Sequence, residues 1–298
     1  MPDRPWTNLI RPWSPLLLVP LTFVVAANQW ATAKEWPEKG AYSFDRWAGP
    51  ELGVQYAMPS AADGETPILI VVPGANRNAA EYRDQWQALC EANLFICLAL
   101  EGSINCFPTE YDYNAGTVVS SDGVVQPEEE WLFTAIELIF DDFCERFGSN
   151  CQTYSIFGHS AGGGFVHRFA LFKPNARFDA AVAANPAFFT MPNRDSMYPF
   201  GLRGASLSDG ATSRWFRKRL FILLGDQDTG PRSRPLSGGP TANEQGPGVF
   251  TRGLRFFRSA LIESEKIEVP LRWQLQVVHG VGHSNTEMAA HALGFLFP

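Results

Sequence analysis

The 298 residues are 45% hydrophobic and 13% aromatic, enough apolar material for a large buried core. A formal charge of -7 and the lack of any basic block exclude a nucleic-acid partner. No internal repeat, heptad run or low-complexity tract is present, which excludes solenoid, coiled-coil and disordered classes.

The chain opens with Arg4 and Arg11 ahead of an apolar run over residues 15–27, and Ala31-Thr32-Ala33 offers an A-x-A cleavage site. This is the layout of a secretory signal peptide over residues 1–33. The apolar run falls short of the roughly 20 residues that span a bilayer, so no stable membrane span is expected after cleavage. The expectation is a secreted or periplasmic protein, a signal-anchored form being the alternative, with residues 34–298 as a single catalytic domain. All five cysteines (Cys90, Cys97, Cys106, Cys144, Cys151) follow that boundary. In an oxidising compartment some should pair. Cys144 with Cys151 is the first expectation, because they bracket a helix end and the next strand; Cys97 with Cys106 is the second. No C-x-x-C or His-rich spacing is present, so neither metal nor cofactor is expected.

Residues 40–58 alternate as two entry strands with a turn at Gly49-Pro50. Residues 67–73 form a short continuous apolar run, as for a strand buried on both faces. A helix pattern over 79–93, a second buried run over 94–100 and an aperiodic polar and aromatic stretch over 101–126 follow. Residues 127–147 read as a long amphipathic helix with Pro127 at its start. A strand over 154–157 runs into Gly158-His159-Ser160-Ala161-Gly162 and a helix over 161–172. Strands are expected at 178–184, 220–224 and 271–278, and helices at 249–264 and after His283. The 187–217 stretch is aromatic-rich and longer than a simple connection. Strands alternating with helices predict an α/β fold: a mostly parallel sheet of about eight strands, helices on both faces, and a small aromatic-rich cap insertion.

Ligands gather at the carboxyl ends of strands in such sheets. Four loops carry suitable chemistry there: Gly74-Ala75, the Ser160 turn, Asp226/Asp228 and His283. G-x-S-x-G between strand and helix is the setting of a nucleophile elbow, and Ser, Asp and His follow in the order expected for this architecture. Ser160 is the candidate nucleophile, since a hydroxyl needs a nearby base to react at neutral pH. His283, on a glycine-rich loop after the last strand, is the candidate base, with His279 as competitor. Asp226 and Asp228 both follow the strand over 220–224 and are the candidate orienting acids; the two do not continue into a calcium loop. The backbone amide of Ala161, the residue after the nucleophile, is a candidate oxyanion donor. His159, Asn185, Phe188 and Phe189 are the candidate pocket residues.

The whole chain thus resembles an α/β-hydrolase. The stretches Gly74-Ala75-Asn76-Arg77-Asn78 with Tyr82-Arg83-Asp84, Ala183-Ala184-Asn185, Thr190-Met191-Pro192 and Gly253-Leu254-Arg255-Phe256-Phe257 resemble bacterial poly(3-hydroxybutyrate)-depolymerase-like and feruloyl-type serine esterases. The resemblance covers residues 67–298. It implies a serine hydrolase of carboxylic esters, acting on a small-molecule or polymeric ester through an acyl-enzyme. It also implies Asp228, at the family's strand-Gly-x-x-Asp spacing, as the acid with Asp226 as the fallback, and Ala75 or Asn76 as the second oxyanion donor, although Pro73-Gly74 stands where many hydrolases have His-Gly. A peptidase or thioesterase with the same three residues is the alternative, and a non-catalytic binding member of the fold is a further one.

Overall fold

The structure, a computed structural model, describes residues 36–297. The expected signal segment, residues 1–33, lies outside the described residues. Eight strands form one sheet in the order β1-β2-β4-β3-β5-β6-β7-β8. They are β1 (Lys39–Phe44), β2 (Leu52–Ala57), β3 (Ile68–Val72), β4 (Ile96–Glu101), β5 (Tyr154–His159), β6 (Phe178–Ala184), β7 (Leu220–Gly225) and β8 (Gln274–Val278). Strand β2 is antiparallel to both its neighbours, and every other pairing is parallel.

The helices are α1 (Ala79–Asn93), α2 (Leu132–Phe147), α3 (Ala161–Phe172), α4 (Ala211–Phe216), α5 (Pro240–Gln245), α6 (Val249–Lys266) and α7 (Asn285–Leu296). The sheet separates two hydrophobic cores, and β3 shows why its sequence is continuously apolar. Ile68, Ile70 and Val72 enter the core under α2, α3 and α6, while Leu69 and Val71 enter the core under α1 and α7. Helix α1 meets its core with Ala79, Tyr82, Trp86 and Cys90, at the three- and four-residue spacing of one helical face. Helix α3 is buried along its whole length, which accounts for its apolar and glycine-rich composition.

Several elements differ from the sequence expectation for local reasons. The helix expected over 127–147 breaks at Trp131, whose backbone is extended, so a 3-10 turn (Glu128–Glu130) precedes α2. Strand β8 starts at Gln274 because the residues before it are held elsewhere: Arg272 N–H donates to Phe216 O, and the Trp273 indole donates to Trp215 O at 2.8 Å. Phe188, Phe189, Trp215 and Phe216 are fully buried, with Phe189 stacked on Phe256 and Trp215 edge-on to Trp273, so the aromatic segment after β6 extends the core. All five thiols are free. The Cys151 thiol turns to Thr66 O at 3.3 Å, away from a Cys144 bridge, and Cys97 lies in the core beside Cys90 while Cys106 is exposed.

Candidate active site

The turn between β5 and α3 is as tight as chain chemistry permits. A Cβ on Gly158 would fall 2.1 Å from Gly162 O, and one on Gly162 would fall 1.9 Å from Val72 O. Only glycine fits either position. Ser160 itself sits at φ 59°, ψ -118°, a conformation that costs a non-glycine residue about 1–3 kcal/mol. That geometry lifts its hydroxyl clear of the sheet edge.

The loops leaving β7 and β8 bring two His–Asp pairs to the same rim. The His283 Nε2 lies 2.9 Å from Ser160 Oγ, and its Nδ1 lies 2.6 Å from Asp228 Oδ2. The His279 Nδ1 lies 3.0 Å from Asp226 Oδ2, and its side chain is 87% exposed, turned away from Ser160. Of the five candidates, the fold therefore gathers Ser160, His283 and Asp228 and sets His279 and Asp226 aside as a surface pair. An Nδ1–H donated to Asp228 leaves Nε2 free to accept the serine proton. Arg232, four residues past the acid, also bonds Asp228 through Oδ1.

Asn185 ties these loops together from below. Its backbone takes φ 43°, its amide Nδ2 donates to Gly282 O at 3.0 Å, and its Oδ1 accepts from Gly225 N–H at 2.9 Å. It thus fixes the histidine loop against the end of β7; the sequence expects it in the pocket, but it is not among the residues lining the cleft. Ser284 caps α7 by accepting from Glu287 N–H, which closes the histidine loop onto a helix start.

The amides of Ala161 and Ala75 have no acceptor among the described residues. The Gly74 loop runs beside the serine: a Cβ on Gly74 would stand 3.6 Å from Ser160 Cβ. Two free donors therefore flank the hydroxyl, one of them at the N-terminus of α3. His159 is buried, its ring centre 4.6 Å from that of His283, and its Nδ1 faces the Tyr82 hydroxyl at 3.3 Å. Burial first, then the charges of His283 and Arg232, pull its imidazole well below the usual histidine range, so it is neutral at pH 7.

A cleft of about 390 Å³ opens over Ser160, lined also by Tyr82, Glu110, Asn114, Arg232 and Asn285. Phe188 and Phe189 are absent from its lining, being in the core. Arg232 and Arg234 are the residues sequence reading missed. Their signal is basic side chains in the loop that leaves the acid strand. Glu110 and Asn114 come from the aperiodic 101–126 stretch and carry no such signal.

Two fully buried arginines brace the rim. Arg168 donates to Thr190 Oγ1, Asn114 O, Gly164 O and Pro199 O. Burial lowers its guanidinium to about 10. Arg252 donates to Gly246 O, Ala187 O, Ser237 O and Asn243 Oδ1, joining the loop after β6 to the acid loop. Among the described residues no group of three or more His, Cys, Asp or Glu is placed to hold a metal ion, and no helix is long and apolar enough to cross a membrane.

No family model and no curated protein matches the chain. Among solved structures, it is similar to poly(aspartic acid) hydrolase-1 from Sphingomonas sp. KT-1, at 38% identity over 88% of this chain and 99% of that one, with a TM-score of 0.84. It is also similar to LpqC, described as a poly(3-hydroxybutyrate) depolymerase from Bordetella parapertussis, at 29% identity over 86% and 89% of the two chains, with a TM-score of 0.81. A siderophore hydrolase, EstB from Aspergillus nidulans, shares the fold at 17% identity over 88% and 95%, with a TM-score of 0.51. The chain is a hydrolase, belongs to the α/β-hydrolase superfamily and resembles its poly(3-hydroxybutyrate)-depolymerase-like members.

Proposed function

We propose that the chain is an exported serine hydrolase that cleaves carboxylic esters through an acyl-enzyme. The observation that carries this reading is the relay from Ser160 Oγ to His283 Nε2, at 2.9 Å, and from His283 Nδ1 to Asp228, at 2.6 Å. Ser160 attacks the ester carbonyl while His283 takes its proton, and Asp228 stabilises the resulting imidazolium. The Ala75 and Ala161 amides receive the oxyanion, a contribution of roughly 3–4 kcal/mol per donor. His283 then returns the proton to the leaving alcohol. Water, activated by the same imidazole, releases the acid and restores Ser160. Export rests on the sequence of residues 1–33, and the N-terminal sequence of the mature protein tests it.

A second reading keeps this relay and makes the scissile bond an amide. It is favoured by the 38% identical relative named for poly(aspartic acid), a polymer joined by amide bonds. One panel separates the two: p-nitrophenyl esters and p-nitroanilides of matched acyl groups, with the wild type and Ser160→Ala. The ester reading expects ester turnover lost by at least 10³-fold in Ser160→Ala. Ester turnover that survives this substitution contradicts it, and preference for the anilide selects the amide reading.

A further inference from the structure

Arg77 is the third arginine with little solvent exposure near this cleft, and its surroundings differ from those of Arg168 and Arg252. It follows the Gly74-Ala75-Asn76 loop, takes φ 57°, and is 9% exposed. Its guanidinium lies over the Tyr113 ring, 4.1 Å from the centroid. It makes one long hydrogen bond, Nη2 to Thr109 O at 3.4 Å. Among the described residues its Nε has no partner, and no carboxylate is in ion-pair contact with it. Where Arg168 and Arg252 each satisfy four acceptors, Arg77 is a buried cation left short of partners. Glu110 and Asp112 act on this cation only from a distance, with no ion-pair contact, and a buried charge without a contacting partner is costly, so a site of this kind is completed by something that binds.

The place where it would bind is open. Arg77 lines a cavity of about 280 Å³ with Tyr111, Arg234 and Leu236, and the floor includes Ala75 and Ala161, whose amides flank Ser160. Ala75, Glu110, Asn114, Ala161 and Arg234 line both this cavity and the main cleft, so the two are continuous. Arg234 adds a second guanidinium, bound among the described residues only to the neutral Asn76 Oδ1 at 3.0 Å. Glu110 is the one acid on the lining, and its Oε2 is occupied by the Leu236 amide. Two cations against one carboxylate leave a net positive lining on a chain whose formal charge is -7. A carboxylate matches the planar guanidinium fork and accepts from both arginines.

Resting on the serine-hydrolase reading, we propose that Arg77 and Arg234 form a carboxylate subsite beside the oxyanion amides, so that the preferred acyl group carries its own carboxylate a few bonds from the scissile carbonyl.

The test compares p-nitrophenyl hydrogen adipate with p-nitrophenyl hexanoate, which match in acyl length and differ in the terminal charge. The wild type should favour the adipate about 10–100-fold in kcat/KM, the range expected for a charge-assisted hydrogen bond. Arg77→Met should bring that ratio near one, Arg77→Lys should retain part of it, and Arg234→Met, at the exposed rim, should lower it. A wild-type ratio of one or less, or an unchanged ratio in Arg77→Met, overturns the proposal. A calorimetric arm needs no turnover: adipic acid monoamide against hexanamide, binding to Ser160→Ala and to Ser160→Ala with Arg77→Met. Selective binding of the anion without hydrolysis of any ester contradicts the serine-hydrolase reading alone. Hydrolysis without anion preference contradicts the subsite alone, and equal binding of the two amides overturns it whatever the turnover.

Discussion

Asp228 holds His283 through a 2.6 Å contact between Oδ2 and the imidazole Nδ1, while Arg232 occupies the other oxygen of the same buried carboxylate. Two residues earlier, Asp226 makes a similar pair with His279 at the surface. The two pairs look alike in sequence and differ in which one reaches Ser160. We therefore expect Asp228→Asn to lower kcat on a p-nitrophenyl ester by about 10³–10⁴-fold, through loss of the correct imidazole tautomer. Asp226→Asn and His279→Ala should stay within a few-fold of wild type. Steady-state rates of the three variants check this.

The elbow glycines permit a stability prediction with an internal control. Gly162→Ala drives a methyl to 1.9 Å from Val72 O and 2.7 Å from Pro73 O, backbone atoms at the end of β3 and just beyond it. It should destabilise the fold by about 3 kcal/mol or more. Gly282→Ala meets nothing within 4 Å and should change stability by less than about 0.5 kcal/mol. Urea midpoints of the two variants decide it.

The fold was legible almost throughout because its signals are local. Continuous apolar runs over residues 67–73 and 94–100 mark strands buried on both faces, and the spacing of Tyr82, Trp86 and Cys90 marks a helix face. Ser160, Asp228 and His283 were legible because each closes a strand in a fixed order. Phe188 and Phe189 misled because an aromatic-rich, aperiodic segment reads the same whether it lines a pocket or fills a core. Asn185 was placed in the pocket for its position at a strand end, although its side chain turns inward to two backbone groups. Arg77, Arg232 and Arg234 depend on loop paths that no periodicity encodes.

Buried His167 gives a pH dependence with a definite sign. Its Nδ1 faces Gly163 O at 3.0 Å, and its Nε2 accepts from Thr190 N–H at 3.1 Å, which fixes a neutral tautomer. Burial, then the charge of Arg168, holds its imidazole well below the usual value of 6.5. On acidification the unfolded chain therefore takes up this proton first. The His167 contribution is whole above pH 6.5 and is lost as pH falls below it, by up to about 1.4 kcal/mol per pH unit. The stability difference between wild type and His167→Gln should shrink by about 1.4 kcal/mol between pH 7.5 and 5.5 in urea unfolding. A constant difference contradicts the assignment.

Arg252 links stability to the site. Arg252→Met leaves Gly246 O, Ala187 O and Ser237 O without this donor in a buried setting. A loss of about 2–4 kcal/mol is expected, read as a lowered Tm. Because the loop carrying Ser237 also carries Arg232, kcat/KM should fall too, at temperatures where the variant remains folded.

The account turns on Ser160 as a nucleophile activated by His283. The most direct measurement is mass spectrometry of the protein after exposure to an alkyl fluorophosphonate. One phosphonyl group per chain should appear on the peptide carrying Ser160, with turnover lost in proportion, and His283→Ala should label at least 10³-fold more slowly. Ester turnover that persists in fully labelled protein, or a label that settles on another residue, would contradict the account.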